Sequence, residues 1–219
     1  MIDILLATYN GEEFIDKQIK SLVTQSRDGL KAEGEAIRLV IRDDGSTDNT
    51  LDIINRRLEY YKSKRDDNID VRILSDRSHT GSPTESFMKL LEVSKSEYVM
   101  FSDQDDVWVE DKLKNTLAYM GCNDNIPQMA FCNAYVADAE LNVHCTLQQT
   151  VRLPVRHING LLENLAAGFT VIFNGMAKSM FLRGDSNRIE FHDFWLYVLC
   201  TYFGNVSYNP EPLAYYRQH

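Results

Sequence analysis

Three short polar clusters hold the side chains best suited to chemistry in this chain: Thr8-Tyr9-Asn10, Asp43-Asp44-Gly45-Ser46 and Ser102-Asp103-Gln104-Asp105-Asp106. Asp103 and Asp105 offer carboxylate oxygens two residues apart. Magnesium and manganese favour such hard ligands, and at phosphate-handling sites they take one or two protein carboxylates and draw further oxygens from the substrate. The overall charge points the same way. With a formal net charge of −9, the protein needs a cation to hold an anionic phosphate ester, and a divalent metal would supply it. Each cluster also has a purely structural use. Asp105 or Asp106 can cap a helix opening near Glu110, Asp44-Gly45-Ser46 can be a tight turn and helix start, and Tyr9 can pack at a strand end.

What unites the clusters is that each follows a strand-like run. Ile2–Ala7, Ile37–Ile41 and Tyr98–Phe101 are short apolar stretches without helical period, and Val71–Leu74 is a further one. Between them lie helical stripes: Ile15, Ile19, Leu22 and Val23 within Glu12–Gln25, then Leu51, Ile54, Leu58 and Tyr61, then Phe87, Leu90 and Leu91, and finally Leu113, Leu117 and Met120. A polar connector containing Gly29 and Gly34 separates the first helix from the second strand. Ser82-Pro83-Thr84-Glu85 has the pattern of a capping box with proline at the first helical position. Strand–helix alternation predicts an α/β fold with a parallel sheet and helices on both faces. In such sheets ligands bind beyond the carboxyl ends of the strands, where the three polar clusters fall. The second half is less regular. Met129–Ala137, Gly168–Phe173 and Leu213–Arg217 read as strands and Phe191–Tyr202 as a helix.

The chain has 219 residues, of which 44% are hydrophobic, enough to bury the core of a single domain. We divide residues 1–219 into a nucleotide-binding half to about residue 105 and an acceptor half from about 106. No basic stripe suited to nucleic acid is present. The four cysteines, Cys122, Cys132, Cys145 and Cys200, have no metal-ligand spacing and are expected as reduced, buried thiols. The N-terminal apolar run lacks a basic flank, and no stretch approaches the length of a membrane span. These features predict a cytoplasmic protein, with peripheral association at the inner face of the plasma membrane left open.

Taken together, Ala7-Thr8-Tyr9-Asn10, Asp43-Asp44-Gly45-Ser46-Thr47-Asp48, the Gly81 loop and Asp103-Gln104-Asp105-Asp106 make residues 1–120 resemble a family 2 glycosyltransferase of GT-A fold. The resemblance implies a nucleotide diphosphate sugar as donor and a divalent metal, Mn2+ or Mg2+, as cofactor. It also implies residue roles. Thr8 and Tyr9 would line the base pocket with Gly81 in the adjoining loop, and Glu12 would lie near the ribose. Asp43 would contact the base with Asp44 beside it, Asp103 would face the ribose and the metal, and Asp105 would ligate the metal. One departure stands out. Members often carry Arg or Lys in the helix after the Gly81 loop, whereas here the first cation is Lys89.

An inverting transfer needs a base to take the proton from the attacking hydroxyl. The family pattern of an acidic pair opening an aromatic helix matches His192-Asp193-Phe194-Trp195, so Asp193 is the implied base with His192 beside it. The alternative is a helix cap. The closing Tyr216-Arg217-Gln218-His219 resembles the late-strand segment that supplies a metal-ligating histidine, which makes His219 a third candidate ligand, or simply a terminal residue. Trp108 and Trp195 are sugar-stacking or core aromatics. His79, His144 and His157 read as surface residues. These motifs look most like the rhamnosyltransferase branch, implying dTDP-rhamnose as donor and a polysaccharide or lipid-linked acceptor. Relatives usually continue past such a motif, so the chain is expected to be a minimal or C-terminally shortened member. Without the Gln/Arg-x-x-Arg-Trp signature, a single non-processive transfer is expected. Two competing functions remain at this stage: a sugar-nucleotide pyrophosphorylase, which would open with a Gly-rich basic loop, and a non-catalytic nucleotide-sugar-binding subunit.

Overall fold

Apolar runs that lack alternation suit strands covered on both sides, and the first half of the chain forms four of them. In a computed structural model these are β1 (Ile2–Thr8), β2 (Ile37–Asp43), β3 (Ile69–Ile73) and β4 (Tyr98–Ser102). The structure describes residues 1–26, 37–63, 69–76, 78–151, 153, 155, 163–185 and 188–219; Gly29, Gly34 and His157 lie outside them. All pairings among β1–β4 are parallel, in the spatial order β3-β2-β1-β4. Helices α1 (Ile15–Val23), α2 (Thr50–Ser63) and α3 (Pro83–Val93) are the crossovers. Ser82 caps α3 by accepting a hydrogen bond from the Glu85 N–H, with Pro83 at the first turn, an arrangement worth about 1 kcal/mol.

Successive strand side chains point to opposite faces, and each face buries its own cluster. Leu5, Val40 and Phe101 pack with Phe87, Leu90 and Leu91 of α3. Ile4, Leu6, Leu39 and Ile41 pack on the other face with Ile15, Ile19 and Leu22 of α1 and Ile54 and Leu58 of α2.

The second half extends the same sheet with mixed pairing. It contains β5 (Val107–Trp108), α4 (Lys112–Leu117), β6 (Gln128–Ala137), β7 (Val143–Thr146), a 3-10 turn (Gly168–Thr170), β8 (Val171–Asn174), α5 (Gly175–Phe181), α6 (His192–Phe203) and β9 (Asn205–Arg217). β8 joins β4 to β6 through antiparallel pairs, and β9 runs parallel to β6. The fold is thus α/β with a Rossmann-like first half, and the antiparallel insertion at β8 is what the strand–helix rhythm did not announce.

Several second-half boundaries differ from the sequence reading. Gly168–Thr170 is a turn, not strand. β9 starts eight residues before Leu213 because it is held along its length by β6 despite Pro210 and Pro212. The two-residue β5 exists only through its pairing with Ala214 and Tyr215 of β9. Cys132 and Cys200 are buried as expected, whereas Cys122 and Cys145 are exposed. No helix among the described residues is long and apolar enough to cross a membrane.

Candidate active site

Register brings the polar clusters to one edge. Thr8 at the end of β1 is paired with Asp43 at the end of β2, and Leu6 of β1 with Ser102 of β4. A cleft of about 570 Å³ opens there, lined among others by Thr8, Tyr9, Asp44, Gly81, Asp103 and Asp105. Its position beyond β1 and β4, where the strand order reverses, is the usual ligand crevice of an open α/β sheet.

The first two strand ends are locked to one another. The Asp43 carboxylate accepts from the Thr8 hydroxyl (3.1 Å), the Ser46 hydroxyl (2.5 Å) and the N–H groups of Gly45 and Ser46. With four donors already in place, it is occupied in shaping the turn. Glu12 is likewise engaged, accepting from the backbone N–H and the side-chain amide of Asn49. Asp43 thus faces the turn through both oxygens, whereas Glu12 is exposed and both of its bonds use Oε2.

Asp44 is tied in the other direction, to the loop after β3. It accepts from Arg42 (2.6 Å), from the Thr80 N–H and hydroxyl, and from the Gly81 N–H. Burial pushes its pKa up, but these hydrogen bonds outweigh burial and bring it down to about 2. Gly81 sits at φ +69°, a backbone that favours glycine. Arg42 is fully buried at the end of β2, and also donates to Ser86 Oγ and Ser78 O. A lone cation closing an apolar strand, just before two aspartates, was the available sequence signal for it. His79, read from sequence as a surface residue, instead lines the cleft. Its ring lies 4.8 Å from that of Tyr9, and its Nδ1 is 2.8 Å from the Asp44 carbonyl.

The third cluster forms the floor. Gln104 mimics a strand partner for Tyr9: its Oε1 accepts from the Tyr9 N–H (2.8 Å) and its Nε2 donates to the Tyr9 carbonyl (3.0 Å). Gly11 is required beside it, since a Cβ there would collide with the Gln104 amide. Gln18 of α1 donates to Ser102 Oγ and to the Asp103 carbonyl, supporting the turn from behind. Burial, with Asp105 and Asp193 nearby, raises the Asp103 pKa to about 7 against the pull of Lys112. Asp106 is buried and neither of its carboxylate oxygens has a hydrogen-bond partner among the described residues. It therefore plays no helix-capping role, and burial, with Asp103 and Asp105 nearby, raises its pKa well above the usual carboxylate value against the pull of Lys112.

Lys112, the first residue of α4, carries no sequence signal that sets it apart. It is fully buried, donates to the Phe169 carbonyl, and holds its ammonium 3.7 Å from the Trp108 ring centre. Trp108 is consequently a core residue under this cation, 3% exposed, and not a sugar platform. Trp195 is half-buried. It packs against the cluster on the α3 face, with its indole nitrogen buried beside Gly184.

β9 delivers the last group. Because Val107 pairs with Tyr215, the strand carries Tyr216 to the cleft wall and His219 to the acidic turn. His219 Nε2 lies 3.8 Å from Asp105 Oδ2. Asp193 enters from α6. The N-cap of that helix is Phe191, so Asp193 sits inside the first turn, accepting from the Gly168 N–H (3.1 Å) and the Phe194 N–H (2.7 Å). It is near enough to Asp103 to raise that residue's pKa. His192 turns inward and stacks on Phe87 at 4.3 Å. Burial lowers its pKa to about 4, partly opposed by Asp193, so it is neutral at physiological pH.

An α/β fold with an acidic cleft at its switch point defines a class of nucleotide-binding domains. Within that class the chain belongs to glycosyltransferase family 2, whose family model matches residues 3–184. It is 27% identical to the dTDP-rhamnosyl transferase RfbG of Shigella flexneri over 98% of this chain and 71% of that protein. Among solved structures, S. aureus TarS 1–349 in complex with UDP-GlcNAc covers the whole of this chain with a TM-score of 0.67 and 20% identity. The mannosyltransferase PcManGT from Pyrobaculum calidifontis, in complex with GDP-Man and Mn2+, covers 98% of it with a TM-score of 0.67 and 12% identity. These two likenesses establish the GT-A fold. The chain spans 58% and 56% of the length of those two proteins.

Proposed function

We propose that this chain catalyses an inverting, metal-dependent transfer of a sugar from a nucleotide diphosphate to a saccharide or lipid-linked acceptor. The observation that carries the reading is the cleft itself. Its floor holds Asp103 and Asp105, its wall is the Tyr9–His79 pair, and Asp193 lies near enough to Asp103 to raise its pKa. The likeness to RfbG along 98% of the chain supports dTDP-rhamnose as the donor and a cell-surface polysaccharide as the product. The family match favours transfer over the pyrophosphorylase alternative.

The residues fit a metal that is completed by its substrate. Among the described residues no group of three His, Cys, Asp or Glu side chains converges to hold an ion alone. Asp105 and His219 face each other at 3.8 Å, and these two, with Asp103, are the residues that would hold the ion together with the donor's diphosphate. Bound there, the metal would act as a Lewis acid toward the departing diphosphate. Asp193 performs the proton chemistry. One carboxylate oxygen is steadied by the Gly168 N–H and the other by the Phe194 N–H, and it takes the proton of the acceptor hydroxyl as that oxygen attacks the anomeric carbon. Neutral His192 adds no competing positive charge, and its stack on Phe87 fixes the start of α6. A cytoplasmic location fits this reading, since RfbG, which the chain resembles, is named for a nucleotide-sugar donor.

The deciding experiment titrates UDP, dTDP and GDP calorimetrically, with and without Mn2+, into the wild type and Asp105→Asn. Tight binding that requires the metal and disappears in the variant is the expected result. Equal binding by the variant, or none by the wild type, would reduce the acidic turn to a structural role.

A further inference from the structure

Phe14 has no place in the chemistry above, yet it touches both of the outermost groups that β9 brings to the acidic turn. Only 8% exposed, it occupies the N-cap position of α1, where its N–H donates to the Gly11 carbonyl at 3.0 Å. The His219 ring meets it at 4.6 Å between centroids in an edge arrangement of 69°. The Arg217 guanidinium carbon lies 4.4 Å from its centre. Arg217 is 3% exposed and none of its three guanidinium nitrogens has a hydrogen-bond partner among the described residues; it rests against the Phe14 ring, with the carboxylates of Asp105 and Asp106 near enough to favour its charge. The same helix supports the opposite side of the cleft floor, through Gln18 and the Asp103 carbonyl (3.1 Å). α1 is therefore a common mount for the acidic turn and for the end of β9.

From this we infer that Phe14 is a positioning residue, whose ring holds His219 facing Asp105 and so assembles the metal-ligating pair before the donor arrives. The inference rests on the metal reading given above. The physical reason is that a terminal imidazole with 44% of its side chain exposed has many rotamers open to it, and selecting one costs entropy at the moment of binding. A buried aromatic ring in contact with both the imidazole and the Arg217 guanidinium restricts His219 in advance. Groups that orient a metal ligand typically change affinity 10–100-fold when removed.

The test measures Mn2+ affinity by calorimetry in the presence of whichever of UDP, dTDP or GDP binds the wild type. Phe14→Leu is expected to weaken Mn2+ about 10-fold or more, to leave metal-free nucleotide binding within about twofold, and to be rescued by Phe14→Tyr, which keeps the ring. Phe14→Met, of similar volume without a ring, replaces the leucine variant should that one not fold. His219→Ala sets the limit, and Phe14→Leu combined with His219→Ala should lose no more than His219→Ala alone, because both act through one ligand. Unchanged Mn2+ affinity in the ringless variants, or additive losses in the double variant, overturns the role of Phe14 while the metal reading stands. A wild type that binds nucleotide tightly without any metal dependence overturns both.

Discussion

Removing Arg42 should cost more than any single hydrogen bond is worth, because it strands a buried carboxylate. Its Nη1 lies 2.6 Å from Asp44 Oδ1 and 2.7 Å from Ser86 Oγ, and its Nη2 is 2.6 Å from Ser78 O. Asp44 is 5% exposed, and its pKa falls from the usual 3.8 to about 2. That depression corresponds to about 2 kcal/mol of stability at neutral pH, left after burial has already been opposed. It is present above about pH 4 and is lost as pH falls through the folded value near 2. In Arg42→Met the burial remains without its main counterweight, so the expected loss is larger, about 3 kcal/mol, or roughly 6–12 °C in thermal midpoint for a domain of this size. The variant's Asp44 should then protonate at higher pH, so the gap between the two proteins should narrow on acidification below about pH 5. Urea unfolding at pH 7 and at pH 3 reads both effects. Asp44→Asn in the Arg42→Met background should recover part of the loss, since it removes the stranded charge. Because Arg42 and Asp44 together hold Ser78, Thr80 and Gly81, nucleotide affinity should fall in parallel. A loss below about 1 kcal/mol, or one that is independent of pH, would refute the reasoning.

Two further outcomes follow from the site. Asp193→Asn should lower kcat by about 10²–10⁴-fold while donor nucleotide affinity, read by calorimetry, stays within about threefold; a matching loss of nucleotide binding would make Asp193 a structural residue of the α6 turn. Lys112→Met should destabilise the protein by about 1–3 kcal/mol in urea unfolding, since it removes the buried donor to the Phe169 carbonyl. A loss below about 0.5 kcal/mol would show that this buried contact contributes nothing to stability.

The sequence by itself determined the Rossmann-like half. Apolar runs in β1, β2 and β4 need cover on both faces, the stripes of α1, α2 and α3 supply it, and local signals such as the Ser82 cap mark the boundaries. Since parallel strands in register end at a common edge, it also determined that Thr8, Asp43, Asp44, Asp103 and Asp105 would meet there. These are consequences of period and turn chemistry, which neighbouring residues carry among themselves. Which partner each carboxylate meets was decided by contacts across long stretches of chain. Asp43 is held by the turn it faces, Asp44 by Arg42 and by a loop some 36 residues on, and Trp108 is buried beneath Lys112. β5 has too few residues to declare itself, and the antiparallel direction of β8 depends on the strands beside it. The meeting of His219 with Asp105 depends on β9 pairing with β5 and on a phenylalanine near the opposite end of the chain. Tertiary structure decided these points because a buried charge takes whatever partner the folded chain places beside it, and sequence spacing does not encode that distance.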